Sequence, residues 1–562
     1  MRAHAFIEET LMAADGADTD VLIVGAGPTG LSLAIELGLR GIKTLVVERH
    51  PRTGVQPRAK TTNARTMQHL RRWGIASALR AAAPLPGDFP TDIVFATQLF
   101  GRTLAVIENA FEGAKRRDPR FPEPAQWVPQ YTVEEVLRDR VATLPSVQLK
   151  FNTELEQAEQ SDALVIATIR DLTNGERASV RANYLIGADG ARSLVREKIG
   201  AHMEGAHAFA LNYNLILRIA DLTRAPPEPR AIMYWIINQA SPAVMGPMDR
   251  DGRWYFMITL PPGVTEVDDD TVRRRVCAAV GRELDIEILT SDIWAAHRLI
   301  ADHYRDRRIF LAGDACHLHP PFGGYGMNLG IGDAVDLGWK LAATLQGWGG
   351  PQLLESYGQE RRAVHQRTVA EAVENYRVLS AQLLKDNLDD DTAEGETARR
   401  EVGEEIARTK TREFKNLGVV LGSRYIDSPI VIDDGSAPPA EHYSNYDPSG
   451  YPGSLAPHAW LPDDTSLYDH FGPGYTLLAL DETASTEALA QAAQHAGVPL
   501  TILSFRDPQL RALYGAPLAL VRPDQFVAWR GTNEEDAAGI IATLRGAPPR
   551  DAGAGKRQGR TA

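Results

Sequence analysis

Apolar residues concentrate in short runs that end in glycine-bearing turns and lead into stretches of helical spacing. Val21-Leu22-Ile23-Val24 reads as a strand, Gly25-Ala26-Gly27-Pro28-Thr29-Gly30 as a tight turn, and residues 31–40 as a helix. A second apolar strand follows, Thr44-Leu45-Val46-Val47, ending in Glu48. Leu185-Ile186-Gly187-Ala188-Asp189-Gly190 and Ile309-Phe310-Leu311-Ala312-Gly313-Asp314 repeat the design, each placing an aspartate where a strand ends. Between them, Asn214–Leu217, Ile232–Ile237 and Arg253–Leu260 are β-rich runs. Pro226-Pro227 and Asp249-Arg250-Asp251-Gly252 punctuate them, which predicts a sheet. Residues 355–415 read as helical, with a charge-rich stretch at 386–410. Residues 425–470 are loop-rich. A small α/β unit follows: strands at Tyr475–Leu480 and Pro499–Phe505, a helix at Thr486–His495, and a hairpin of Leu518–Val521 with Phe526–Arg530.

Composition narrows the chemistry. The 562 residues are 44% hydrophobic and 24% charged, ordinary for a folded protein. Sixty basic against 73 acidic residues give a net charge of −13, without the basic field of a nucleic-acid binder. Two cysteines, Cys277 and Cys316, exclude a disulfide framework and any cysteine-built zinc or iron–sulfur centre. Acidic residues within the first 20 positions argue against a secretory leader. Residues 21–39 carry one charge, Glu36, but their glycines and Pro28 break them into strand, turn and helix rather than a membrane span. The expectation is a cytoplasmic protein with no membrane and no nucleic-acid partner.

The first unit is a βαβ dinucleotide fingerprint. Gly25 permits the turn, Gly27 lets the backbone approach a pyrophosphate, and Gly30 allows close packing of helix on strand. The helix N-terminus presents free N–H groups to that pyrophosphate. Glu48 is placed to accept from a ribose and disfavours a 2′-phosphate, though the unit alone does not separate NAD from FAD. Asp189 and Asp314 sit at the sheet edge where ligands bind. After Asp314 come Pro320, Pro321 and the loop Gly323-Gly324-Tyr325-Gly326, leading into a helix from about Met327. Such a loop can stabilise negative charge on a ring system.

The fingerprint, Asp189-Gly190 and Gly313-Asp314, in this order and wide spacing, resemble the single-component flavoprotein aromatic hydroxylases. Leu354-Glu355-Ser356-Tyr357, Glu360-Arg361-Arg362, Pro452-Gly453 and Ala456-Pro457-His458-Ala459 extend the likeness towards the phenol hydroxylase branch. That branch includes the dichlorophenol, hydroxybiphenyl and hydroxyphenylpropionate hydroxylases. Three positions depart from it: Gln68 where Glu is common, Tyr325 where Gln is frequent, and Leu455 where a basic residue is frequent.

The resemblance implies an α/β fold: a Rossmann-like FAD-binding domain with an inserted β-rich substrate domain, like p-hydroxybenzoate hydroxylase, and a C-terminal thioredoxin-like domain. The expected boundaries are a tail at 1–18, FAD domain at 19–90, 110–205 and 296–375, and substrate sheet at 91–109 and 206–295. A helical and loop linker at 376–460, the thioredoxin-like unit at 461–546 and a tail at 547–562 complete them. That last unit has no cysteine, so dithiol chemistry is excluded. FAD is expected on Gly25, Gly27, Pro28, Thr29, Gly30, Glu48, Arg49, Arg58, Gln130, Asp189, Gly313 and Asp314. Pro321, Gly324, Gly326, Met327 and Asn328 are expected at the flavin ring. His50 is the candidate base, since an imidazole pKa suits phenol deprotonation. Tyr213, Tyr234, Trp235, Trp254 and Pro321 are the candidate substrate contacts.

The implied activity uses NADH or NADPH and O2 to hydroxylate a phenolic ring, ortho to its hydroxyl, through a flavin C4a-hydroperoxide. A homodimer is the family expectation, and His317 and His319 are explained by the motif without a metal. Alternatives are a flavin monooxygenase of a non-phenolic or polyketide-type substrate and a non-catalytic carrier with a flavin fold. A halogenase is set aside for want of a Trp-x-Trp-x-Ile-Pro segment.

Overall fold

The computed structural model describes residues 16–51, 59–261, 263–264 and 266–548. The chain divides into two units, the first holding residues 1–335, 362–423 and 441–447, the second 336–361, 424–440 and 448–562. Arg58 and most of both expected tails lie outside the described residues. Asp18, placed in the expected tail, pairs its carboxylate with Arg181 at 2.8 Å.

Two eight-stranded sheets build the first unit. In the first, Thr19–Val24 lies between Thr44–Val47 and Arg177–Gly187, and Ile309–Leu311 flanks the latter, all parallel. Val21, Leu22 and Ile23 are fully buried, as an apolar strand covered on both faces requires. Because these strands run in one direction, the turns after Val24, Gly187 and Leu311 emerge at one edge. Close packing brings those turns together. Gly25 holds a left-handed φ of +106°, and a β-carbon there would collide with the Ala188 carbonyl. A β-carbon on Gly30 would strike the Gly25 carbonyl. One on Gly313 would lie 2.5 Å from Thr29 Oγ1. Thr29 therefore packs on the third motif and Gly25 on the second, although almost 300 residues separate first from last.

The second sheet runs His317–Leu318, Glu287–Ala301, Met203–Arg218, Arg253–Thr259, Ala243–Pro247, Met233–Ile236, Ile93–Ala96, Thr103–Ile107. Alternation along its strands divides the side chains between two faces. The helix Asp269–Val280 closes one face, burying Val272, Val276, Ala279 and Val280 against it. The helix Ala393–Phe414 packs on the other through Val402, Ile406 and Phe414.

The second unit holds a four-stranded sheet in the order Leu500–Ser504, Tyr475–Ala479, Leu518–Val521, Val527–Gly531. Its core includes Tyr475, Leu477, Leu518 and Leu520. Arg522 and Lys340 are fully buried with Asp336, Glu360 and Asp524, so every charge there has a counter-charge. Among the described residues no helix is long and apolar enough to cross a membrane.

Candidate active site

The edge where the three motifs meet has the features of a dinucleotide cradle. Gly27 caps the helix Pro28–Gly38 with no side-chain acceptor, and its first turn carries no acidic residue. The first N–H groups are therefore left for a ligand anion. A β-carbon on Gly27 would meet nothing within 4 Å, so the approach to those groups is open. Glu48 Oε2 accepts from the Ala26 amide and Oε1 from the His50 amide, both at 2.9 Å. The carboxylate is thus fixed at the strand end, with lone pairs remaining for a ribose. Asp189 accepts from Ser193 Oγ at 2.5 Å and from the Val195 amide at 3.2 Å. Burial raises its pKa. Gln130 opens the helix Gln130–Ala142, and its amide donates to the Ala59 carbonyl at 2.9 Å. These residues fit FAD: glycines for its pyrophosphate, Glu48 for its adenosine ribose, and Asp314 at the end of the central strands for its ribityl chain.

Asp333 supports that edge and was not among the residues assigned a role by sequence. It is fully buried, and its Oδ2 accepts from the Gly313 amide at 3.0 Å, next to Asp314. His317 Nε2 and His365 Nε2 meet its two oxygens at 3.1 and 2.8 Å, and Tyr304 Oη meets His365 Nδ1 at 2.7 Å. Cys316 is buried in the same cluster. A buried Asp with two buried His at remote sequence positions leaves no local motif to find.

The loop before the helix Gly326–Leu345 is tied down by Asn328. Its Oδ1 accepts from the Asn63 amide at 3.0 Å, and its Nδ2 donates to the carbonyls of Gly324 and Thr61 at 2.7 and 2.9 Å. Tyr325 turns into the protein, where Asn416 Nδ2 donates to its hydroxyl at 3.2 Å. The His319 Nε2 atom is buried without a protein partner, 3.8 Å from where a β-carbon on Gly326 would lie. Met327 and Gly326 are half-buried and Pro321 is exposed.

The candidate substrate residues separate. Tyr213, Tyr234 and Trp254 are buried under the helix Asp269–Val280, and Tyr234 Oη donates to the Pro229 carbonyl and accepts from the Ala231 amide. They form core, which corrects their assignment as substrate contacts. Trp235 points to the opposite face, 6.0 Å from the ring of Phe322 in the flavin-side loop and 5.6 Å from Phe95. Tyr255, Trp127, Tyr131, Met233 and Met257 share that face, the last four only half-buried. His50 is not brought to it. His50 is exposed, its ring accepts from Arg49 Nε at 3.2 Å, and its amide belongs to the Glu48 end.

A sheet whose central strands are parallel, with a dinucleotide cradle at their edge, fits a dinucleotide-dependent enzyme. The chain belongs to the FAD-dependent aromatic-ring hydroxylases: residues 18–372 match the FAD binding domain family, and 449–548 match "Aromatic-ring hydroxylase, C-terminal". It is 34% identical over 485 residues to aklavinone 12-hydroxylase DnrF of Streptomyces peucetius, covering 84% of this chain and 93% of that protein. It is 30% identical over 570 residues to 2,4-dichlorophenol 6-monooxygenase of Delftia acidovorans, covering 93% of this chain and 96% of that protein. A solved structure of RebC, soaked with chromopyrrolic acid and holding 7-carboxy-K252c, superposes with a TM-score of 0.87 at 36% identity, covering 94% of this chain and 99% of that one. The likeness therefore spans an aklavinone hydroxylase, a dichlorophenol monooxygenase and RebC.

Proposed function

We propose that this flavin monooxygenase hydroxylates a phenolic ring within a fused-ring aromatic, with NADH or NADPH as reductant and O2 as oxidant. The carrying observation is the aromatic face beside the flavin-side loop: Trp235 and Tyr255 are buried there, with Trp127, Tyr131, Met233 and Met257 half-buried around them. A fused ring covers such a face more fully than one benzene ring does, and each buried square ångström adds about 25 cal/mol. Phe322 and Trp235 exclude water from the side nearest the loop, which protects a reactive oxygen donor. FAD, when bound, supplies activation of O2 for transfer of one oxygen atom. Gly27, Glu48, Asp189 and Asp314 would hold it, and Asn328 fixes the loop against the strand Thr61–Thr62. The aklavinone named for one relative and the 7-carboxy-K252c bound by RebC favour a substrate larger than a simple phenol. A small chlorinated phenol is the second reading, favoured by the dichlorophenol relative.

The test is nicotinamide oxidation by the flavin-loaded protein with hydroxyanthraquinones and with mono-ring phenols, product mass and H2O2 both measured. Faster oxidation with a product heavier by one oxygen for the fused rings supports the proposal. Coupled turnover of the mono-ring phenols alone transfers it to the second reading. Oxidation that no aromatic accelerates overturns both.

A further inference from the structure

Two lysines lie on the aromatic face, each with its ammonium over a ring, and they differ in one respect. Lys410 Nζ sits 4.1 Å from the Trp235 ring centroid. It pairs with Glu413 and donates to the carbonyls of Val378 and Asn375 at 3.0 and 3.3 Å, so its charge is answered. Lys60 Nζ sits 4.3 Å from the Tyr255 ring centroid, and among the described residues that ring is its sole recorded partner.

The backbone fixes Lys60 there. Its carbonyl accepts from the Val128 amide, and the following residues Thr61–Thr62 pair with Gln126–Trp127. The Thr61 carbonyl accepts from Asn328, the residue that also holds the flavin-side loop. Tyr255 is equally constrained: its ring lies across Gly246, where a β-carbon would sit 2.8 Å from Cε1. The ammonium therefore stands between the strand tied to that loop and the aromatic floor. Lys60 is half-buried, and this desolvation lowers its pKa to about 8. A cation that is partly desolvated with no anion beside it gains from a ligand anion placed against the same face.

We propose that Lys60 forms an anion subsite on the aromatic face, taking a carboxylate or an ionised phenol oxygen of the ring-bearing substrate against Tyr255. This rests on the reading of that face as the substrate site.

The test uses the flavin-loaded protein and four probes followed by the change they cause in flavin absorbance. These are anthraquinone-2-carboxylate with its carboxamide, and 2-hydroxyanthraquinone at pH 8 with its methyl ether. In the parent protein at least one anionic probe is expected to bind ten-fold or more tightly than its neutral twin. In Lys60→Met the preference falls below two-fold with the neutral twin's affinity kept, and Lys60→Arg restores part of it. Equal FAD content in all three proteins shows that the cradle is intact. Equal affinity of twins in the parent, or a preference that survives in Lys60→Met, overturns the subsite and leaves the aromatic site standing. Failure of all four probes to bind overturns the aromatic-site reading and this proposal with it.

Discussion

The two faces of the second sheet carry the same kinds of residue, and the proposed substrate site lies on one of them. On one, Tyr213, Tyr234 and Trp254 are covered by the helix Asp269–Val280, and Tyr234 satisfies its hydroxyl with two backbone groups. On the other, covered in part by the helix Ala393–Phe414, Tyr255 and Trp235 are buried as deeply, half-buried Trp127, Tyr131, Met233 and Met257 surround them, and Lys60 has no counter-charge among the described residues. Neighbours in sequence fall on opposite sides: Tyr234 and Trp235, Trp254 and Tyr255. An aromatic residue in this sheet is thus no signal of ligand binding. The informative difference is the charge without a described counter-charge, since closed faces satisfy their polar atoms and recognition faces leave some for the ligand.

The largest effect expected from breaking this contrast is at Trp254. Truncation to alanine leaves a cavity beneath the helix and costs about 3–5 kcal/mol. Urea unfolding measures this, and the protein that remains folded should bind FAD at full stoichiometry. Lost FAD affinity without lost stability would place Trp254 on the functional side.

Next come the paired tyrosines. Tyr234→Phe removes a hydroxyl that both donates and accepts within the core and leaves those backbone groups unanswered, at about 1–3 kcal/mol. The Tyr255 hydroxyl makes one long contact, 3.4 Å to the Ile232 carbonyl, so Tyr255→Phe should cost under about 0.5 kcal/mol. Equal costs in thermal unfolding would erase the distinction between the faces.

A smaller effect of opposite sign is expected at Lys60. Its ammonium titrates at about 8 in the folded protein, below its ordinary value of 10.5. Below pH 8 both states are protonated, and the folded state bears the cost of partly desolvating the charge. Between pH 8 and 10.5 the unfolded chain holds a proton that the folded chain has released, so this contribution makes stability rise with pH. Lys60→Met removes the cost and should stabilise the ligand-free protein by about 1 kcal/mol at pH 7. The advantage should shrink towards pH 10. Urea midpoints of both proteins at the two pH values measure it, and a constant gap would mean that the lysine is not held as a buried cation.

The contrast also explains which features could be read from sequence. The cofactor cradle was legible because its parts are local: a strand, a glycine turn and a helix within 20 residues, and Glu48 at the end of the next strand. The α/β architecture followed from the same spacing, and Gly25 and Gly30 sit where their missing β-carbons are required. The aromatic face was not legible. Its register depends on pairings such as Leu217 with Trp254 and Trp235 with Val244, and a slip of one residue exchanges the faces. Lys60 gave no signal either, because an unanswered charge is defined by what fails to surround it in space. Asp333 was visible only as one acid in a helix, since its partners are the Gly313 amide and two imidazoles from separate segments.

The smallest expected change is at His50, where sequence placed the base. A general base that prepares a phenol must reach its proton within about 3 Å or through one water, and typically contributes 10²–10⁴ in rate. The His50 ring is exposed and accepts from Arg49 Nε, so an Arg⁺ donor already occupies the lone pair a base would use. Its link to the cradle runs through its backbone amide to Glu48, which any side chain preserves. His50→Ala should therefore leave stability within about 0.5 kcal/mol, as for other exposed substitutions. The maximal rate of aromatic-dependent turnover and its pH profile should stay within two-fold of the parent. A hundred-fold loss, with a changed pH profile, would return the base to the Glu48 end. The closed and open faces would then both be scaffolding for chemistry carried out elsewhere.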